Sequence, residues 1–228
     1  MQLASQMLSA DDRTAICQAV TEAESNTSCE IVPILATSSG RYDRAEDIAG
    51  LWLGLAAMAV TWYFWPRPAL EPGSWHPERE WLELAALVVS LIAGFVVGAV
   101  ASSRIGWLRR LFTPRTMLRD EARARAHQVF FDERVYRTAG QNGLLIYVSL
   151  FERQAVILGD TGIVERLGQA ALDALCRQMT DRLRSSSLRE AFCETIRAAG
   201  QQLAPILPRQ SNDVNELPDA LVILDKLL

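Results

Sequence analysis

Histidine is nearly absent from this chain: His76 and His127 are the only two. Neither has a partner at the spacing of a metal-binding HExxH helix. The four cysteines, Cys17, Cys29, Cys176 and Cys193, form no CxxC pair. Each falls in a helix or strand pattern, where cysteine behaves as a small buried hydrophobe. That usage fits a reducing compartment. No GxSxG, P-loop or GxGxxG occurs, and Ser–His–Asp catalysis has no footprint here. The opening MQLASQMLSADDR lacks a basic n-region and an apolar h-region, so no cleavable signal peptide is expected. Positive charge is not in excess either. The net charge is -4, which speaks against a general affinity for nucleic acid.

What the chain does have is apolar sequence, and it is concentrated. Of 228 residues, 50% are hydrophobic, and two long stretches carry the surplus. Ile48 to Trp65 and Leu84 to Ser103 contain no charged residue. A helix crossing the hydrocarbon core needs about 20 such residues. A soluble core helix keeps a polar stripe, and these are apolar all round. Trp62, Tyr63, Trp65, Trp75, Trp81 and Trp107 cluster at the ends, where amphipathic rings favour the headgroup level. Gly54, Ala56, Ala57, Gly94 and Gly98 would allow close helix contact, and GFVVG is a GxxxG. The expectation is a two-helix transmembrane hairpin in contact with lipid.

Arginine placement sets its orientation. Arg41 and Arg44 precede the first span, and Arg104, Arg109, Arg110, Arg115 and Arg119 follow the second. The loop between holds Arg67 and Arg79, offset by Glu71, Glu78 and Glu80. Positive residues stay inside, so both termini are expected in the cytoplasm of a cell with a bacterial-type inner membrane. Neither span carries the charge usual in a transport pathway. Past the second span, RDEARARAHQ (Arg119 to Gln128) is a basic helix that could attract anionic headgroups or simply be a solvated face.

The polar parts read as one α/β domain. SADD (Ser9–Asp12) has capping-box spacing ahead of Ile16, Ala19, Val20 and Ala23. Glu30 to Thr37 is a strand, and Pro33 places it at an edge or bulges it. Thr116 to Ala139 reads as one long helix, and Leu144 to Leu150 as a buried strand. FERQ turns the chain into Ala155 to Leu158, an antiparallel hairpin. GDTG (Gly159–Gly162) opens a single helix through Val164, Gly168, Ala171, Leu175, Met179 and Leu183. SLRE (Ser187–Glu190) caps another helix, and the tail offers a last short strand. The first helix and strand cannot bury a core alone. The expected fold is therefore a small sheet flanked by helices, an α/β sandwich, with the hairpin inserted after its first strand. Residues 1–46 and 105–228 would form the domain, and residues 47–104 the hairpin.

The best site candidate is GDTG. Glycine and a cap-forming Asp suit a plain turn. Free amides at a helix start can hold an anion. Asp160 could instead join Glu30 as the carboxylates of a hard-cation site.

The order of TSCEIVPIL, a long gap, NGLLIYVSLFERQAVILGDTGI and two helices resembles the TPM domain family. Gly143 to Ile163 carries the strongest match, and TSCEI has Cys29 where the family's TSGEI has glycine. NELPD (Asn215–Asp219) resembles a bacterial membrane-anchored branch. The family includes a thylakoid-lumen photosystem repair protein and a receptor modulator. The resemblance implies an α/β sandwich, with acid phosphatase activity and calcium binding in some members. Two functions follow as expectations. One is an interaction or assembly factor with a protein partner and no resident cofactor. The other is a metal-dependent phosphatase holding calcium at Glu30 and Asp160, its catalytic residues unidentified.

Overall fold

The computed structural model describes residues 3–66, 80–138, 140–209 and 214–225. The loop bearing Arg67, Glu71, Trp75, His76, Glu78 and Arg79 lies outside them, as does Ala139. The chain divides into two compact units, one of Tyr42–Pro114, the other of Gln2–Arg41 with Arg115–Leu228.

The second unit is mixed α/β. It begins with α1 (Ala4–Met7), α2 (Ala10–Glu24) and β1 (Glu30–Ala36). The other unit supplies α3 (Asp43–Phe64), α4 (Glu80–Arg104) and α5 (Gly106–Leu111). The α/β unit then resumes with α6 (Arg115–Asp132), β2 (Gly143–Ser149), β3 (Gln154–Gly159), α7 (Thr161–Leu167), α8 (Gln169–Ser185), α9 (Leu188–Leu203) and β4 (Val222–Leu224). Both expected capping boxes are formed. Ser9 accepts from Asp12 N–H and Ser187 from Glu190 N–H, and each N3 carboxylate returns the bond. Such a cap satisfies amides the helix cannot pair itself.

Four strands form one sheet in the order β3-β2-β1-β4. β1 and β2 run parallel, with Glu30 opposite Gly143 and Ile34 opposite Tyr147. β2 and β3 form the antiparallel hairpin, from Ser149–Gln154 to Leu144–Gly159. β1 and β2 are buried at every position, because helices cover both faces. On one face Ile31, Leu35, Leu144, Ile146 and Val148 meet α2, α8 and α9 through Ile16, Leu175 and Phe192. On the other, Val32, Ile34, Leu145 and Tyr147 meet Ala126, Val129 and Phe130 of α6.

Three local expectations are corrected. β1 is interior, between β2 and β4, not at an edge. Pro33 is tolerated for a geometric reason. Glu30 N–H turns toward β2, to Asn142 O (3.2 Å), while Thr37 N–H reaches Leu224 O of β4 (2.9 Å). Alternation puts the Pro33 nitrogen on the β4 side, and β4 pairs only with Ile34 to Ala36. No ladder donor is lost. The helix after GDTG is two helices, α7 and α8, broken at Gly168 with φ +83°, a backbone state favouring glycine. The long basic helix stops at Asp132. Arg134 turns left-handed (φ 58°), and a 3₁₀ turn, Val135–Arg137, follows.

The hairpin unit is built differently. Glu46–Phe64 and Trp81–Arg104 are long and apolar enough to cross a membrane, and only 17% and 11% of an apolar 18-residue window in each are buried. The contact between α3 and α4 is made by glycine. A Cβ on Gly94 would come within 2.8 Å of Gly54 Cα, and one on Gly98 within 2.8 Å of Gly50 Cα. Two GxxxG faces, Gly50/Gly54 and Gly94/Gly98, thus lie backbone to backbone. Arg109 of α5 pairs with Glu46 of α3.

Candidate functional site

Parallel β1 and β2 begin at one end of the sheet, where β3 ends. Glu30, Asn142 and Asp160 therefore share that end. Asp160 N–H donates to Gly143 O (2.8 Å), and Glu30 N–H to Asn142 O (3.2 Å). β2 stands between the two carboxylates, so their backbones are about 10 Å apart, two strand spacings.

Each carboxylate has its own task. Asp160 is the N-cap of α7: its Oδ1 accepts from Thr161 N–H at 2.6 Å. Its Oδ2 is buried without a hydrogen-bond partner, as is Asn142 Oδ1. Asn142 Nδ2 donates to Ser28 O. Glu30 faces the tail, accepting from Glu216 N–H (3.3 Å) and Leu217 N–H (3.2 Å). A strand-end glutamate thereby clamps the segment that leads into β4.

A second acid joins it there. Glu24, at the end of α2, accepts from Ile31 N–H at 2.7 Å. Burial raises its pKa from 4.5 to about 9, with the Asp219 and Glu30 charges adding to the rise. Glu24 is therefore protonated at neutral pH, and hydrogen-bonds to Asp219. Asp219 also accepts from Thr21 Oγ1 (2.8 Å) and Asn215 Nδ2 (2.5 Å). The same burial, with Glu24 and Glu30 nearby, pushes the Cys29 thiol well up, so it is not a thiolate nucleophile.

The geometry thus makes this end a polar strap holding the tail to β1. Calcium takes roughly six to eight oxygen ligands. Here Asp160 Oδ2 and Asn142 Oδ1 are the orphaned oxygens, and the tail amides engage Glu30. Among the described residues no group of three or more His, Cys, Asp or Glu side chains is placed to hold a metal. The donor set does not fit a calcium cage. Glu24, Asn142 and Asp219 escaped the sequence reading, although Asp219 closes the quoted NELPD. His127 lines a groove beside β3, and His76 is outside the described residues.

At the opposite end Glu152, fully buried, accepts from Ser39 N–H (2.8 Å), Ser38 Oγ (3.3 Å) and Ser149 Oγ. Ser39 and Tyr147 hydroxyls lie 2.9 Å apart, and burial pushes Tyr147 up to about 12. These bonds satisfy a buried carboxyl group rather than present it to a ligand.

Such a fold, a four-stranded sheet between helix layers with one short parallel tail strand, defines an α/β sandwich domain. The model of the TPM domain matches residues 108–202. The NMR structure of the BA42 protein from the psychrophilic bacterium Bizionia argentinensis is similar in fold. Its TM-score is 0.55 at 20% identity, covering 94% of this chain and 94% of that one. The comparison with curated proteins gives no match.

Proposed function

We propose that this chain is a membrane-anchored TPM module, acting as an interaction or assembly factor at the cytoplasmic face of an inner membrane. α3 and α4 form a transmembrane hairpin inserted between β1 and the rest of the domain, a multi-pass anchor with both termini inside. The outward apolar surface of that hairpin carries the reading. Trp52 and Val89 are each 64% exposed while the glycines face inward, the reverse of a soluble core. Arg104, Arg109 and Arg110 at one end of the hairpin support the orientation. Carbonate-washed membranes should retain the protein, and a reporter fused after Leu228 should stay inside while one inserted near Ser74 is exported. A washed-off protein, or an exported C-terminal reporter, would sink the proposal.

One observation favours the rival, a metal-dependent phosphatase of the TPM type: the orphaned, buried Oδ2 of Asp160. Glu30 would be its second carboxylate. Phosphoryl hydrolysis needs a nucleophile or several carboxylates gathered on metal, and this donor set is short of that. Metal analysis and a phosphatase assay on the purified protein separate the two. Metal-dependent turnover lost in Asp160→Ala would favour the enzyme.

A further inference from the structure

β3 is an edge strand. Its sequence, QAVILG, contains neither a charge nor a proline, the usual devices that keep an edge from pairing. A groove of about 920 Å³ runs along it, between α6 and α8. Arg119, Arg123 and His127 recur at four-residue steps on the α6 wall, one face of that helix. Arg177 and Arg184 stand on the α8 wall. The wall acids are already engaged: Asp173 accepts from Gln169 (2.9 Å), and Asp181 pairs with Arg184 (3.4 Å). Among the described residues Arg119, Arg123 and Arg177 form no salt bridge. The groove is thus positive in a chain whose net charge is negative.

Its floor offers backbone groups. Asp160 N–H points toward β2, so by alternation Ala155, Ile157 and Gly159 turn theirs outward. The Cys176 thiol stands in the way as a weak plug. Its Sγ is 3.2 Å from Ala155 O, and the Ile157 amide lies against the same sulfur. A thiol is a poor donor and acceptor. A peptide backbone in its place would pair more strongly.

We infer that this groove docks an extended acidic segment of a partner protein, which adds to β3 as a fifth strand and meets the arginines of both walls. Strand addition supplies main-chain bonds, and alternate side chains supply selectivity. A second copy of this chain is the poorer occupant, because pairing two β3 edges would bring two arginine-rich grooves together. The inference rests on the reading of the chain as an interaction module and names its partner class.

Cys176 reports on the test. The full chain is placed in phosphatidylcholine nanodiscs and alkylated with iodoacetamide, and each cysteine is followed by mass spectrometry. The probe is a capped peptide of alternating glutamate and valine. At about ten times its dissociation constant it should slow Cys176 alkylation about tenfold, since only unbound protein reacts. Cys17, on α2, should be unaffected. Arg123→Glu should abolish the protection. So should Ala155→Pro, which removes an outward N–H without touching the β2 ladder. Cys29, 1% exposed, remains unreactive in a folded variant. If Ala155→Pro exposes it, Arg123→Glu decides. Equal protection by a lysine–valine peptide, or by an acidic peptide interrupted with proline, would overturn the inference. So would protection by phosphatidylglycerol vesicles alone, which would make the groove a lipid surface, or no protection at all. Membrane retention is measured separately, so a failed groove leaves the anchor reading intact, and a failed anchor leaves the groove test interpretable.

Discussion

The two units of this chain bury opposite things. In the α/β unit the large side chains go inside: Tyr147, Phe192 and Ile34 are fully buried. In the hairpin unit the small ones do. Gly54 meets Gly94 across the helix pair, while Trp52, Val60 and Val89 face outward. Water drives the first arrangement, because removing apolar surface from it is favourable. In the lipid setting proposed for the hairpin no such drive would act between helices, and close backbone packing would take its place. One chain thus uses two packing rules, and the switch falls at the unit boundary near Tyr42 and Pro114.

That contrast is breakable by mutation. The largest effect is expected from truncating the same kind of side chain in each unit. Phe192→Ala should cost about 3–5 kcal/mol in thermal or denaturant unfolding of the α/β unit. Val89→Ala in lipid should cost almost nothing. A large loss from Val89→Ala would mean that α4 is a core helix after all.

Enlarging the small residues should give the reverse pattern. Gly94→Leu drives a side chain into Gly54 and should destabilise the helix pair by about 1–3 kcal/mol. Crosslinking between cysteines placed on α3 and α4 would read the separation, with the α/β melt unchanged. An unaltered crosslink yield would remove the glycine interface from the account.

A third measurement sharpens the comparison by pH. The folded Glu24 titrates near 9, against 4.5 for an unfolded glutamate. Between those values the folded state keeps a proton that the unfolded state has lost. The stabilisation is complete below about pH 4.5 and is lost as pH rises toward about 9. The α/β unit should therefore lose up to about 2.7 kcal/mol between pH 6 and pH 8, and Glu24→Gln should flatten that slope. A parent protein equally stable at both values would contradict the buried acid.

The smallest effect concerns Asp160. Removing an N-cap costs about 0.5–2 kcal/mol, so Asp160→Ala should lower the melting temperature modestly. Added calcium should leave the parent's melting temperature unchanged. A ligand at a hundredfold excess over its dissociation constant would stabilise by about 2.7 kcal/mol. A calcium-dependent rise that disappears in Asp160→Ala would restore the metal site.

Much of this molecule was legible before folding, and the legible parts share a cause. Capping boxes at Ser9 and Ser187, the apolar run of β2, the turn into β3 and the two apolar spans depend on residues within a turn or two of each other. Local sequence determined them because their physics is local: amide satisfaction, side-chain period, and the length of an apolar segment. Gly168 shows the limit even at short range. Ala171, Leu175 and Met179 continue the helical period seen before it, yet its positive φ divides α7 from α8.

Only the tertiary structure decided the rest. Pro33 argued for an edge, but β4, from the far end of the chain, covers β1 and stops just short of the proline. Glu30 reads in the sequence as a strand-end acid, and only the fold brings the amides of Glu216 and Leu217 onto it. Glu24 carried no signal in the sequence, and burial in the fold, with Asp219 and Glu30 nearby, raises its pKa to about 9. The open edge of β3 exists because β2 pairs with β1 on its other side. Each of these outcomes is a long-range pairing that closes large loops of chain. Its energy comes from partners that no local window contains.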